Sequence, residues 1–269
     1  FVLMLAAFSA FTFQGSRGLY ESTEGRYAEC ARQSLAAGSL DEPTLNGYQH
    51  WTKPPLTYVA IAAGLAVFGE NAWGARIGLA VAFVLTVIIV FILGALVWDR
   101  RSGAWCALVY ASSPFPLGAS NALSTDTFLA LWMAAAGLFF WYSARKGGVL
   151  GILLMWAALG LGFMTKGPVA LLALIPIVIT SVHLRLRGQG LPVWHHVAGL
   201  FVFGAVGLPW FVMKMIEHPE LREYWILHES IGRNLYGEFD RNSQFYKPLE
   251  VYGPVLLFGS FPWTLPILF

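Results

Sequence analysis

Long apolar runs alternate with short polar ones along most of this chain. A hydrocarbon layer about 30 Å thick needs roughly 20 apolar residues at a helical rise of 1.5 Å each, with about 17 to 25 as the working range. That rule predicts helices over residues 1–14, 73–97, 103–119, 122–142, 147–164, 168–184, 193–213 and 252–269, about eight spans. The run Pro54–Gly69 is the difficult one. It has 16 residues, opens on Pro54-Pro55 and leads into FGENAWG, which suits an interfacial or re-entrant helix.

Charge decides its topology. If 54–69 does not cross, the connections Asp99–Arg101, Arg145–Lys146 and Arg185–Arg187 share one side of the membrane. They hold six basic residues against one acid, and basic connections stay cytoplasmic. Residues 15–72 then form the first outer loop, Leu123–Asp126 marks a second, Lys166 a third and 214–251 a fourth. The cytoplasmic face has minimal loops and the outer face substantial ones, where a site has room to form.

The polar interval Glu21–Pro55 carries Glu21, Glu24, Glu29, Asp41 and Glu42. A helix is predicted from Thr23, with Glu24 favourably placed in its first turn. Tyr27, Ala31 and Leu35, helped by Cys30, recur at helical spacing and read as a membrane-facing stripe. Gly38 marks its end, and SLDEPTLNG reads as turns. In the loop 214–251 the stretch EYWILHESIGRNLYG predicts a second, short interfacial helix.

Composition agrees with the pattern: 57% of residues are hydrophobic, 12% charged, and the mean hydropathy is +0.61. A water-soluble domain carries about twice that charged fraction, so the fold class is all-α and the chain a polytopic membrane protein. Cys30 and Cys106 have neither metal spacing nor a disulfide framework. No HExxH, phosphate-binding GxxxxGK[ST] or dinucleotide GxGxxG occurs. A membrane-resident activated substrate fits better than a soluble nucleotide, and no nucleic-acid partner is expected. The sequence begins at Phe1 and stops inside VLLFGSFPWTLPILF, so a natural N-terminus and a C-terminal continuation are expected outside it.

Several polar groups are candidates for chemistry. Lys166, between two spans, reads either as a phosphate ligand or as a lysine snorkelling at a helix end. Asp126 reads as a first-turn acid on a helix capped by Thr125 or Ser124, or as a group orienting a sugar hydroxyl. Lys53 stands where the first loop re-enters the membrane, as a phosphate ligand or an ordinary interface lysine. Arg26 and Arg233 suit phosphate because a guanidinium binds it bidentately. Arg76 reads as an anchor for the start of its span. Glu24 is favoured as the acid–base carboxylate, with Glu229 and His228 as rivals, while Glu29 has Arg26 or Arg32 as a partner at three-residue spacing. Tyr27, Tyr48, Trp51, Tyr58 and Trp225 are candidate linings of a sugar or lipid pocket, or interface anchors.

As a set these residues resemble a known family. EGRYAE at 24–29, TKPPL at 52–56 and TKGP at 165–168, with FGENAWGAR, LSTDTFLALW and FGSFPW between and after them, are similar to bacterial polyprenyl-phosphate-sugar glycosyltransferases of the GT-C superfamily. These are the aminoarabinose–lipid A transferase and protein O-mannosyltransferase-like enzymes. The resemblance covers nearly the whole chain and implies a single transmembrane GT-C-like domain over 1–269, with juxtamembrane helices in the first outer loop. It implies transfer of a sugar from a polyprenyl-phosphate donor to a lipid, glycan or protein acceptor, at the outer face of the bacterial cytoplasmic membrane. By residue it implies Glu24, Arg26 and Asp126 as catalytic and Arg26, Lys53, Lys166 and Arg233 at the donor phosphate. Tyr27, Tyr58, Trp51, Glu229 and His228 would line the sugar or lipid pocket. The family's loop commonly begins with Asp where this chain has Thr23, which puts the acidic role on Glu24. Thr52 stands where close relatives of the aminoarabinose enzyme often have Glu. Some relatives are metal-independent and others bind a divalent ion, so no cofactor is implied. A lipid-linked sugar flippase, or an inactive scaffold marked by Thr23, stays open as an alternative.

Overall fold

The computed structural model describes residues 1–20, 23–225 and 246–268. It is built of helices: α1 (Val2–Phe11), α2 (Thr23–Ala37), α3 (Leu56–Phe68), α4 (Ala72–Val97), α5 (Arg100–Ser112), α6 (Pro114–Ser120), α7 (Asp126–Lys146) and α8 (Leu150–Lys166). A 3₁₀ segment (Gly167–Ala173) leads to α9 (Leu174–Leu186), α10 (Val193–Gly207), α11 (Pro209–Glu217), α12 (Glu220–Glu223), α13 (Lys247–Gly259) and α14 (Leu265–Leu268). The one described sheet is a hairpin of β1 (Thr44–Leu45) and β2 (Tyr48–Gln49). Asn46 and Gly47 turn it with φ of 54° and 83°, as an Asn-Gly hairpin requires.

Helix boundaries follow local chemistry. Asn71 caps α4 by accepting from the Gly74 amide at 2.9 Å, and Asp99 caps α5 through Ser102 at 2.8 Å. Gly38, Gly69 and Gly147 stop α2, α3 and α7 at positive φ. The expected helix 103–119 divides at Ser113-Pro114 and the expected 193–213 bends by 49° before Pro209, because proline removes a backbone donor. In place of the expected 252–269, α13 starts earlier, at Lys247, and ends at Gly259, with the short α14 after it.

Three helical runs have the length and composition to cross a membrane: Ala72–Val97, Asp126–Lys146 and Leu150–Leu186. The bent pair α10–α11 makes a fourth if it acts as one span. The 37 residues of Leu150–Leu186 do not run straight, however. Gly167, at φ 71°, folds the 3₁₀ segment back so that a Cβ at Gly162 would lie 3.0 Å from that of Ala170. Thus α8 and α9 form a hairpin with Lys166 at its tip. The expected eight spans are not all reached by helix length, since α1, α5 and α13 have only 10, 13 and 13 residues. Helix α3, with 13 residues, is likewise short.

Glycine permits the closest contacts. A Cβ on Gly64 of α3 would meet the Gly74 carbonyl of α4 at 2.2 Å, so the two helices touch backbone to backbone. Gly64→Ala is expected to cost about 1–3 kcal/mol through overpacking, read as a lower melting temperature in detergent. An unchanged temperature would show that α3 can move off α4 without loss.

The Tyr27 stripe of α2 does not face the membrane as expected. Tyr27, Cys30, Ala31 and Ser34 are buried, and the first three share a core with Tyr58, Ile61 and Leu65 of α3 and Leu79 of α4. The helix is amphipathic toward the protein because α3 supplies the apolar face that lipid was expected to supply. Separate cores join α7, α8 and α9, and α1, α4 and α5.

The two ends of the bundle differ in chemistry. At one end Asp126, opening α7, pairs with Lys166, closing α8. At the other Arg145 donates to the Val97 carbonyl at 2.7 Å, and Leu184 of α9 packs in the core that holds Phe140. The three basic connections therefore gather at one end and the acidic first loop lies at the other.

Candidate functional site

The site end is organised by a buried ion-pair node. Glu24, 5% exposed, receives Arg76 Nε at 3.0 Å and the Leu123 amide at 2.7 Å on Oε1. Its Oε2 receives Arg17 Nη1 at 2.5 Å, Arg76 Nη2 at 3.0 Å and the Tyr20 amide at 3.0 Å. Arg76 is wholly buried and gives its remaining donors to the carbonyls of Gln14, Arg17 and Gly18. The node ties residues 14–20, α2, α4 and the turn before α7 together. Burial pushes the Glu24 carboxyl up, but the hydrogen bonds from Arg17, Arg76, Leu123 and Tyr20 outweigh it and hold the pKa at about 2. Such a carboxylate is a weak proton acceptor at neutral pH, and both oxygens are already engaged.

Two positions along α2, Arg26 lies differently. Its guanidinium sits 5.5 Å from the Tyr27 ring centre and its buried Nε has no hydrogen-bond partner. Among the described residues no carboxylate lies within salt-bridge distance of it. Tyr27 packs at 5.7 Å against Tyr58, and Tyr58 at 6.4 Å against His50. His50 Nε2 and Thr52 Oγ1 are hydrogen-bonded at 2.6 Å, and Lys53 Nζ donates to the Thr52 carbonyl at 2.9 Å. Burial, then the charges of Arg26 and Lys53, hold His50 below its ordinary pKa. On the other flank, burial raises the Tyr27 phenol, Arg26 opposes the rise, and the Asp126 charge adds to it. Arg26 and the Asp126 charge thus act on Tyr27, Arg26 and Lys53 act on His50, and Lys166 reaches the group through its pairing with Asp126.

Two recesses open beside it. An apolar groove of about 620 Å³ runs between α3, α4 and α7, lined by Leu56, Ala60, Ile77, Leu85, Phe128 and Trp132. Of its lining residues, Leu56 lies three positions after Lys53 and Phe128 two after Asp126 in sequence. A cleft of about 490 Å³ is lined by His50, Trp51, Thr52, Glu220, Glu223 and Tyr224. Trp51 belongs to a cluster with Trp210, Trp225 and His218, at 6.2, 6.5 and 5.1 Å.

A second ion-pair node fixes this cluster. Lys214 of α11, 1% exposed, reaches Asp41 at 2.9 Å, Glu42 at 2.6 Å and Glu217 at 2.7 Å. Trp210 Nε1 donates to the Asp41 carbonyl at 2.8 Å. Glu42, Glu217 and His218 bring ligand atoms within 4.8 Å of one another, but the Lys214 ammonium already bonds both carboxylates. The Lys214 ammonium bridges those two acids and Asp41, so the group reads as a clamp between the first loop and α11.

The structure therefore gathers Arg26, Tyr27, Trp51, Lys53, Tyr58, Asp126 and Lys166 at one end. Glu24 is there too, but bound inward. Glu29 pairs with Arg32 at 2.8 Å. The expected helix in EYWILHESIGRNLYG falls mostly, and His228, Glu229 and Arg233 fall wholly, outside the described residues. The sequence pattern does not single out Arg17 or Lys214, and Arg76, expected as an anchor for the start of its span, is instead wholly buried in the node; none of the three carries a local sign of burial.

Residues 52–212 match the family described as dolichyl-phosphate-mannose-protein mannosyltransferase. The chain belongs to that family. It is 31% identical over 274 residues to the undecaprenyl phosphate-alpha-4-amino-4-deoxy-L-arabinose arabinosyl transferase of Pseudomonas aeruginosa (strain UCBPP-PA14), covering 97% of this chain and 48% of that protein. It is 32% identical over 269 residues to the protein so named in Pseudomonas savastanoi pv. phaseolicola (strain 1448A / Race 6), with 95% and 48% covered. Among solved structures, ArnT from Cupriavidus metallidurans in the apo state superposes with a TM-score of 0.82 at 24% identity, over 97% of this chain and 48% of that one. ArnT bound to undecaprenyl phosphate gives 0.78 at 24% identity, over 98% and 50%. At that identity the likeness establishes the fold. This family member spans about half the length of the relatives it matches.

Proposed function

We propose that this chain carries the catalytic membrane half of a glycosyltransferase. It moves a sugar from a polyprenyl-phosphate carrier to a lipid, glycan or protein acceptor at the outer face of the bacterial cytoplasmic membrane. The observation that supports this reading is the placement of Arg26, Lys53 and the Lys166–Asp126 pair at the same end of the bundle, within a few residues of helix segments that line an apolar groove. Such a site is cationic where a phosphate would sit and oily where its tail would run. In this reading the shorter helices complete a set of eight crossing segments, α3 lies along the interface, and the basic end faces the cytoplasm.

The reaction breaks the bond from the sugar's anomeric carbon to phosphate oxygen and forms one to the acceptor oxygen. Charge develops on the departing phosphate, and Arg26, Lys53 and Lys166, with Arg233 from the following loop, stabilise it. The acceptor proton needs a carboxylate with unused lone pairs. Asp126, 57% exposed at its side chain and bonded through its carboxylate to Lys166, meets that need. Glu24 serves by holding α2 so that Arg26 and Tyr27 project into the site. Tyr58, Trp51, His228 and Glu229 border the sugar or lipid in this reading.

Purified full-length protein in proteoliposomes, given a labelled polyprenyl-phosphate sugar, is expected to release polyprenyl phosphate only when an acceptor fraction is added. Movement of intact donor across the bilayer with no transfer to any acceptor would instead make the protein a flippase. Lys53→Ala is expected to raise the donor KM roughly tenfold, the loss of one charge-assisted hydrogen bond of about 1.4 kcal/mol. An unchanged donor KM would leave Lys53 an interface lysine.

A further inference from the structure

The end of the bundle away from the site holds positive charge that the protein does not neutralise. Between Asp126 and Glu217 the chain has no acidic residue. Among the described residues, Arg145, Lys146, Arg185 and Arg187 form no salt bridge. There α7, α9 and α10 enclose a cavity of about 130 Å³ with Arg185, His196 and Ser181 as its polar lining and Phe140, Leu191 and Val193 among its apolar lining. The Ser181 hydroxyl is committed to the Ile177 carbonyl at 2.8 Å. The side chains of Arg185 and His196 make no hydrogen bond or ion pair among the described residues.

The cavity is held in shape by the turn after α9. Gln189 donates its amide to the Leu184 carbonyl at 2.9 Å, and a Cβ at Gly190 would lie 3.0 Å from Arg185 Cγ, so the arginine stem is packed against its own loop. Beside the cavity, Ile179 and Val182 of α9 and Val193 and Val197 of α10 are exposed and apolar. Cationic donors at one level and an oily wall beside them match an amphiphile with an anionic head.

We propose that this cavity binds the headgroup phosphate of an anionic phospholipid from the surrounding membrane. The Arg185 guanidinium takes two phosphate oxygens bidentately, His196 donates a ring N–H to a third, and the acyl chains lie along α9 and α10. Basic pockets between helices at the positively charged end of a membrane protein suit such headgroups. A free phosphate ion would gain nothing from the apolar wall, which is why a lipid is the expected occupant.

The test is native mass spectrometry of the full-length protein released from nanodiscs of equal phosphatidylglycerol and phosphatidylcholine. One phosphatidylglycerol is expected to be retained over phosphatidylcholine, and Arg185→Ala is expected to lower that retention about fivefold. Arg185→Lys should fall between, keeping the charge without the fork. Arg145→Ala, whose arginine is bonded to the Val97 carbonyl and lies outside the cavity lining, should leave retention unchanged. An equal loss in Arg145→Ala would reveal a diffuse charge effect and overturn the site. So would equal retention of the two lipids, or displacement of phosphatidylglycerol by millimolar inorganic phosphate. Melting temperatures of the variants, expected to match the parent because Arg185 is exposed, separate lost binding from lost folding.

Discussion

Arg76→Ala is expected to lower stability by about 3–5 kcal/mol, the cost of leaving one member of a buried ion pair behind. Arg76 is 0% exposed, and its guanidinium meets both Glu24 oxygens and three backbone carbonyls. Removing it strands those carbonyls and leaves Glu24 with Arg17 as its one remaining charged partner. In thermal unfolding followed by tryptophan fluorescence the loss should appear as a drop of roughly 6 °C or more. A melting temperature within about 1 °C of the parent would show that the node carries no weight in folding.

Glu24→Gln tests the same node from the acid side and separates two roles. A catalytic base can be lost with the fold intact, whereas a carboxylate that neutralises buried Arg76 cannot. We expect Glu24→Gln to lower the melting temperature along with transfer. The pH dependence follows. The folded pKa of about 2 lies below the ordinary glutamate value of about 4.3, so the contribution is fully present above that ordinary value. It is lost as pH falls through the folded value, and amounts to about 3 kcal/mol. The parent should therefore lose stability between about pH 4 and pH 2 more steeply than Glu24→Gln. Parallel profiles would count against the assignment.

Arg26→Ala should have the opposite signature. Transfer is expected to fall about 10²–10³-fold, the loss associated with removing one preorganised donor from developing negative charge. Melting temperature should hold or rise, because Arg26 has no carboxylate partner among the described residues and its buried Nε has no hydrogen bond. A buried donor without a protein partner costs stability unless something else binds it. In the proposed function that something is the donor phosphate. Arg26→Lys should recover part of the rate, since it restores charge without the bidentate geometry. Normal turnover in Arg26→Ala would remove the residue from the phosphate site.

Much of the architecture was legible in local pattern. The apolar runs located α4, α7, α8 and α9 closely, the Asn71 and Asp99 caps and the Gly38 stop lie in the sequence itself, and Lys166 could be read as lying between helices. The motifs EGRYAE, TKPPL and TKGP carried the family resemblance, and the structure places Arg26, Lys53 and Lys166 at the same end of the bundle. The roles of neighbouring charges were not legible. Glu24 and Arg26 stand two positions apart on α2, yet one is bound inward by two arginines and the other carries no described carboxylate.

Hydropathy and capping depend on residues within a turn or two of each other, so the sequence by itself determined that the chain is helical and apolar enough for a bilayer and where α4, α7 and α8 run, but not the breaks at Pro114 and Pro209. Burial of a charge depends on which distant group arrives beside it. Arg76 meets Glu24 across 52 residues and Lys214 meets Glu42 across 172. Only the tertiary structure could bring those partners together, and with them engage both Glu24 oxygens with Arg17 and Arg76 while Arg26 is left without a carboxylate among the described residues.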